Sequence, residues 1–235
     1  MTIINSVVQG ENAYLITDAA FTDWRDGRIL HNGCKFITGN QFPWAMAVTG
    51  SAQLPDLVAQ VVYRNPRNAK EMVECLPDLL RGVQALRLGD EYDRFTMALR
   101  VAAWCEHTSK ARVFHIDMDA GRCERWGIAP WEVVEADVFI LGTESAPLIR
   151  DRGWDEPERV TDPSQFDPVR DGVTLVGWQR DLERWKIHPE GPPLALIGGG
   201  VQIARVNREG VAIKTAHVWP EDKVGQIIEP CRKAA

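Results

Sequence analysis

The order of strand-like and helix-like periods along this chain predicts an α+β fold, a four-layer αββα sandwich of two antiparallel sheets flanked by helices. Three observations carry that expectation. The first fifty residues run as short β-rich segments, residues 51–89 change to a helical period, and β character then returns twice around a third helical stretch. In such a sandwich every helical face has a sheet to cover, which favours one domain over residues 1–235 rather than two small ones.

Residues 2–9 form the first strand candidate, and "NAYLITDAAFTD" (12–23) is a β-rich run ending in polar turn residues. "DGR" at 26–28 marks a hairpin, after which "RILHNGCKFITGN" (28–40) and "FPWAMAVTG" (42–50) are separated by "GNQ". These segments together predict a four-stranded antiparallel unit. Ser51 is placed to cap a helix in which Leu54, Leu57, Val58, Val61 and Val62 recur at i, i+3, i+4, i+7 and i+8. Asn68 opens a second helix: Met72, Val73, Leu76, Leu79, Leu80, Val83 and Leu86 repeat at helical spacing up to Gly89, with Pro77 expected as a kink or restart. Strands are expected again in "RFTMALRVAAWCE" (94–106), "ARVFHIDMDAG" (111–121) and "DVFILGT" (137–143), with "DAG" reading as a hairpin turn. Polar, proline-rich linkers at 154–168 and 186–193 bracket a helix over residues 168–185, and the closing "LALIGGGVQIARVNREGVAIKTAHVW" reads as two strands joined at "NREG".

Composition sets limits on function. The 235 residues are 45% hydrophobic and 26% charged, enough for a sizeable core. Thirty-three acidic against 27 basic residues give a net charge of −6 with no basic stripe to track phosphates, so nucleic acid is not an expected partner. The N-terminus has no signal-peptide pattern and no stretch reaches membrane-spanning length, which predicts a cytoplasmic protein without membrane contact. Five cysteines at wide spacings argue for reduced thiols, and the five dispersed histidines share no metal-ligand spacing, so neither a metal site nor a cofactor is expected. "GGG" at 198–200 lacks the Lys-Ser/Thr that completes a phosphate loop, and "DMDAG" lacks the rest of a calcium loop. Both read as turns.

The chemistry is concentrated near the start. A threonine hydroxyl is a poor nucleophile until a base takes its proton, and a free α-amine on the same residue can be that base. Thr2 meets this condition once Met1 is removed, which the small size of threonine leads one to expect. An α-amine has an ordinary pKa of about 7.7–8.0, so a large fraction is neutral near physiological pH.

Thr2 in "MTIINSV", Asp18 in "ITDAAFTD" sixteen residues later, Lys35 in "NGCKF", Gly50 in "MAVTGSAQ" and the segment "ILGTESAPLI" fall in a familiar order. The chain resembles the proteasome β-subunit family and the peptidase subunit of the bacterial two-component ATP-dependent protease, members of the N-terminal nucleophile (Ntn) hydrolases. In element order the resemblance covers nearly the whole chain, and in residues it is concentrated in the first fifty. It implies that Thr2 is the nucleophile and that Asp18 is the second-strand aspartate. Lys35 would be the family lysine, one residue late because the hairpin at "TDWRDGR" is longer. Gly50 would supply the oxyanion-hole N–H. Either Thr143 or Ser145 would take the place of the usual serine near the α-amine.

In that assignment Lys35 keeps the amine deprotonated by like-charge repulsion, Asp18 holds Lys35 as its ion-pair partner, and the Gly50 amide stabilises the tetrahedral oxyanion. The resemblance thus implies a threonine-dependent amide hydrolase, a proteasome-like peptidase acting on peptides or proteins. Because no propeptide precedes Thr2, confinement in a ring or helical homo-oligomer is expected, and an unfoldase is a possible partner. Trp24, Trp154 and Trp219 lie outside the core periodicity and are expected at interfaces. The alternative from a different class is a non-catalytic structural or assembly subunit with Met1 retained.

Overall fold

Apolar residues at Ile4, Val7 and Val8 make β1 (Ile4–Gln9), and a two-residue turn with Gly10 at φ 58° returns the chain as β2 (Asn12–Asp18). The computed structural model describes residues 2–23, 25–50, 54–62, 66–85, 97–136, 138–140, 163–182 and 193–229. After β2 come β3 (Ala20–Thr22), β4 (Ile29–Asn32), β5 (Phe36–Thr38) and β6 (Trp44–Thr49). Two helices follow, α1 (Leu54–Val62) and α2 (Ala69–Ala85), then β7 (Ala98–Cys105) and β8 (Lys110–Asp117). The remaining described elements are α3 (Ala120–Trp126), β9 (Val134–Glu135), β10 (Val138–Ile140), α4 (Arg170–Leu182), β11 (Gly200–Asn207) and β12 (Gly210–Val218).

Two five-stranded antiparallel sheets result, one in the order β10-β1-β2-β11-β12 and the other β5-β6-β7-β8-β9, with β3 and β4 as a separate pair. The expected four-stranded N-terminal unit is therefore corrected. Its strands are shared among three sheets, because the outer partners of β2 and β6 come from far along the chain: Asp18 pairs with Val201 and Thr49 with Ala98. Alternation marks a strand but says nothing about its neighbour.

The sheets meet through small side chains. Ala13, Leu15, Ala204 and Val206 of the first sheet pack with Ala45, Ala102, Ala111 and Val113 of the second. On the other face of the second sheet, Met72, Leu76, Leu80 and Val83 of α2 and Val58 and Val62 of α1 cover Met46, Val48, Leu99 and Val101. Val176 of α4 packs with Ile4, Ile16, Ile203 and Trp219. Pro77 sits inside α2 without ending it. Two further expectations need correction. "DAG" opens α3 instead of a hairpin turn, because the Asp119 carboxylate accepts the Arg122 N–H at 2.8 Å and caps the helix. Trp219 is 9% exposed and packs in the core with the Arg180 guanidinium 4.7 Å above its ring, so it is not a free interface side chain. Trp24 and Trp154 lie outside the described residues.

Candidate active site

Thr2 precedes β1 and is half-buried, while Ile3 beside it is buried. The Ile3 N–H donates to Asp18 Oδ1 at 3.3 Å, across the same pairing that sets Ile4 opposite Thr17. Antiparallel pairing thus brings the start of β1 and the end of β2 together, and Thr2 is one residue from the group that binds Asp18.

Lys35 leads into β5 in the other sheet, and its Nζ reaches the same Asp18 Oδ1 at 2.8 Å. Both side chains are buried, 1% exposed for the lysine and 0% for the aspartate, so this pair is hidden from water. The Lys35 N–H donates to Gln202 Oε1 at 3.2 Å, which ties the entry to β5 to β11. Gly198 donates its N–H to Asp18 Oδ2 at 3.3 Å. The Phe21 ring centroid lies 5.3 Å from the ammonium, and His31 stacks on that ring with centroids 4.2 Å apart.

Removing the ammonium from water lowers the Lys35 pKa from its ordinary value, and the nearby Asp18 carboxylate opposes that shift without cancelling it. A buried lysine of this kind can hold a positive charge against a neighbouring amine or a developing oxyanion, with little water to screen it.

Gly50 follows β6 with φ 127°, a conformation that glycine tolerates and other residues avoid. It stands where the chain leaves the second sheet towards α1. Thr143 and Ser145 lie outside the described residues. The structure therefore brings Asp18 and Lys35 into contact and sets the Thr2 segment against Asp18.

Three contributors were not anticipated. Gly198, read as part of a turn, is a ligand of Asp18 from 180 positions away, and no local signal could have pointed to it. Arg100 on β7 is fully buried and donates from Nη1 to the Ile4 carbonyl at 2.6 Å, anchoring the start of β1, two residues after Thr2. His115 on β8 accepts from Arg100 Nε at 3.4 Å, and burial together with the charges of Arg100 and Arg122 drives its pKa down to about 3. An arginine inside an otherwise apolar β run, as in "MALRVAAW", is the sequence signal that could have flagged Arg100.

No protein-family model matches the sequence, and no curated protein matches it. In structure the chain is similar to the Anbu (Gly-1) mutant from Hyphomicrobium sp. strain MC1, with a TM-score of 0.58 and 10% identity, over 95% of this chain and 90% of that one. At that identity the likeness is one of fold: the mixed arrangement of antiparallel sheets and helices described above is shared with Anbu.

Proposed function

We propose that the protein is an Ntn hydrolase, a threonine-dependent amide hydrolase of the proteasome-like peptidase type, built as one four-layer αββα domain over residues 1–235. The observation that carries this reading is the buried Asp18–Lys35 pair, whose shared oxygen also takes the N–H of the residue after Thr2. The fold likeness to Anbu is consistent with it.

Once Met1 is removed, the Thr2 α-amine takes the proton from Oγ1 and the oxygen attacks the scissile carbonyl carbon. The C–N bond then breaks, the proton passes to the departing amine, and water hydrolyses the remaining ester to regenerate the hydroxyl. Lys35 holds the α-amine in its neutral form and supports the developing negative charge, Asp18 holds Lys35, and the Gly50 N–H faces the oxyanion. Either Thr143 or Ser145 assists the α-amine. Self-association into a ring or helical stack would enclose the Thr2 sites, and an unfoldase would deliver folded substrates to them.

The test combines intact mass, to establish whether Met1 is present, with hydrolysis of a fluorogenic peptide panel by wild type and Thr2→Ala. The expected result is a chain beginning at Thr2, turnover by wild type, and a loss of about a thousandfold or more in the variant. Equal turnover by the two proteins removes Thr2 as nucleophile. A retained Met1 with no turnover favours the non-catalytic subunit. Light scattering coupled to size exclusion tests assembly, and a clean mass near the 26.4 kDa monomer rejects the ring.

A further inference from the structure

The successive backbone N–H groups of Gly198 and Gly199 are each held by a carboxylate. Gly198 donates its N–H to Asp18 Oδ2, and its carbonyl accepts from Ala19 N–H at 3.0 Å and Ala20 N–H at 2.9 Å. Gly199 donates its N–H to Asp222 Oδ2 at 2.7 Å. Two successive amides thus link Asp18, at the candidate site, to Asp222, in the segment after β12.

Asp222 is itself fixed. Arg180 on α4 grips both of its carboxylate oxygens, Nη2 to Oδ1 at 2.9 Å and Nη1 to Oδ2, with both side chains 1% exposed. The same guanidinium donates to the Glu229 carbonyl at 3.0 Å and to the Ile197 carbonyl at 3.4 Å, and lies over the Trp219 ring. These contacts hold the guanidinium, and through it the orientation of the Asp222 carboxylate. Space enforces the same geometry: a Cβ on Gly198 would lie 2.6 Å from Asp222 Oδ2, and one on Gly199, at φ 74°, would meet the Asn32 side chain.

A buried ion pair contributes little net stability against an apolar replacement of the same volume, because desolvation offsets the attraction. What it supplies is direction. We infer that Arg180 and Asp222 are positioning residues for the Asp18–Lys35 pair, acting through the Gly198–Gly199 peptide. The inference rests on the proposed hydrolase reading for its effect on turnover, but the mechanical coupling does not require it. Arg180 aims Asp222, Asp222 fixes the Gly199 N–H, the adjoining Gly198 N–H fixes Asp18, and Asp18 fixes the Lys35 ammonium. Among the described residues, Asp18 is the charged side chain in contact with that ammonium.

The test reads Lys35 directly. In protein carrying labelled lysine, the Lys35 amine is followed by NMR through a pH titration, its signal assigned by its loss in Lys35→Arg. Asp222→Ala removes both the acceptor for Gly199 and the partner of Arg180. Asp222→Asn keeps an acceptor oxygen and loses the charge, so it serves also where the alanine variant does not fold. Val176→Ala, on the buried face of α4 and making none of the hydrogen bonds that fix Asp222, controls for general loosening.

A less firmly held Asp18 supports the ammonium less. The Lys35 midpoint is therefore expected to fall by about half a pH unit or more in Asp222→Ala, by less in Asp222→Asn, and not at all in Val176→Ala. Peptide turnover is expected to follow the same order, with kcat down about tenfold in Asp222→Ala and KM within about twofold. An unchanged midpoint in the folded Asp222 variants overturns the coupling whatever the turnover, as does an equal shift in Val176→Ala. A midpoint that falls further in Asp222→Ala than in Asp222→Asn, in a protein that hydrolyses no amide, upholds the coupling and rejects the hydrolase reading instead, whereas equal falls in the two variants report the lost charge alone and overturn the coupling.

Discussion

On the α1–α2 side of the molecule the buried contacts among the described residues are apolar: Met72, Leu76, Leu80 and Val83 close over Met46, Val48, Leu99 and Val101. Around α4 and the start of β11 the burial is as complete but the chemistry differs. Asn5 and Gln179 exchange amide hydrogen bonds of 2.8 and 3.0 Å, Arg180 grips Asp222, and Asp18 binds Lys35. The first region is held by non-directional burial, which tolerates small shifts of a helix over a sheet. The second is held by directional bonds between charged and amide groups, each expensive to leave unmade, which constrain both distance and angle. The proposed site, in which an ammonium would be held beside a nucleophile, needs the second kind of construction. In this chain it occurs on the side where Asp18 meets Gly198.

The contrast can be broken most decisively at Asp18. Asp18→Asn strands a buried ammonium without its counter-charge, and equilibrium urea unfolding is expected to show a loss of about 3–5 kcal/mol, with peptide turnover reduced by about a hundredfold or more. If both quantities stay near wild type, the pair neither holds the fold nor serves the chemistry.

Leu76→Ala probes the opposite side. Leu76 is fully buried on the inner face of α2, and truncating it is expected to cost about 2–5 kcal/mol in the same unfolding measurement. Turnover per folded molecule should remain within about twofold of wild type. A large fall in kcat in the folded variant would show that the apolar side also sets the site geometry.

An effect of intermediate size is expected from His115, which stands between the two sheets. Its pKa is about 3 in the folded chain against 6.5 for the ordinary side chain, so between those values the unfolded state binds a proton that the folded state does not. Stability should therefore rise with pH across that window and be lost as pH falls from 6.5 towards 3, with a slope of at most about 1.4 kcal/mol per unit from this group. Unfolding midpoints at pH 7 and pH 5 give the slope, and His115→Asn should flatten it. An unchanged slope in the variant would assign the acid limb to other groups.

The smallest change belongs to the exposed surface of α2. Lys70 and Glu74 are 3.8 Å apart at i, i+4 with side chains 83% and 62% exposed, and Lys70→Ala is expected to shift stability by less than about 0.5 kcal/mol. A shift of several times that size would mean that charge on this face matters in a way the buried contacts do not explain.

The two regions also differ in how far they could be read from residues alone. On the apolar side, the period that places Met72, Leu76, Leu80 and Val83 on one face is a local property of the helix, so the buried stripe of α2 was visible before the fold. The closing hairpin was equally legible, since "NREG" lies between two apolar runs and β11 and β12 pair across it. Asp18 and Lys35 could be singled out because their order along the chain resembled a known family.

Their contact, and everything that holds it, was decided by tertiary structure. Lys35 and Asp18 belong to elements of different sheets, Gly198 is 180 positions from Asp18, and Asp222 is 42 positions from Arg180. Strand pairing brings such groups together, and the pairing of β2 with β11 depends on which distant segments share the core rather than on any feature of "ITDAAFTD" itself. The same holds for "DAG", where local residues suited a turn but the reach of Asp119 to the Arg122 N–H made a helix. Periodicity determines which face of an element is buried because it depends on neighbours three or four residues away. The partner of a buried charge depends on the whole chain, so only the folded molecule names it.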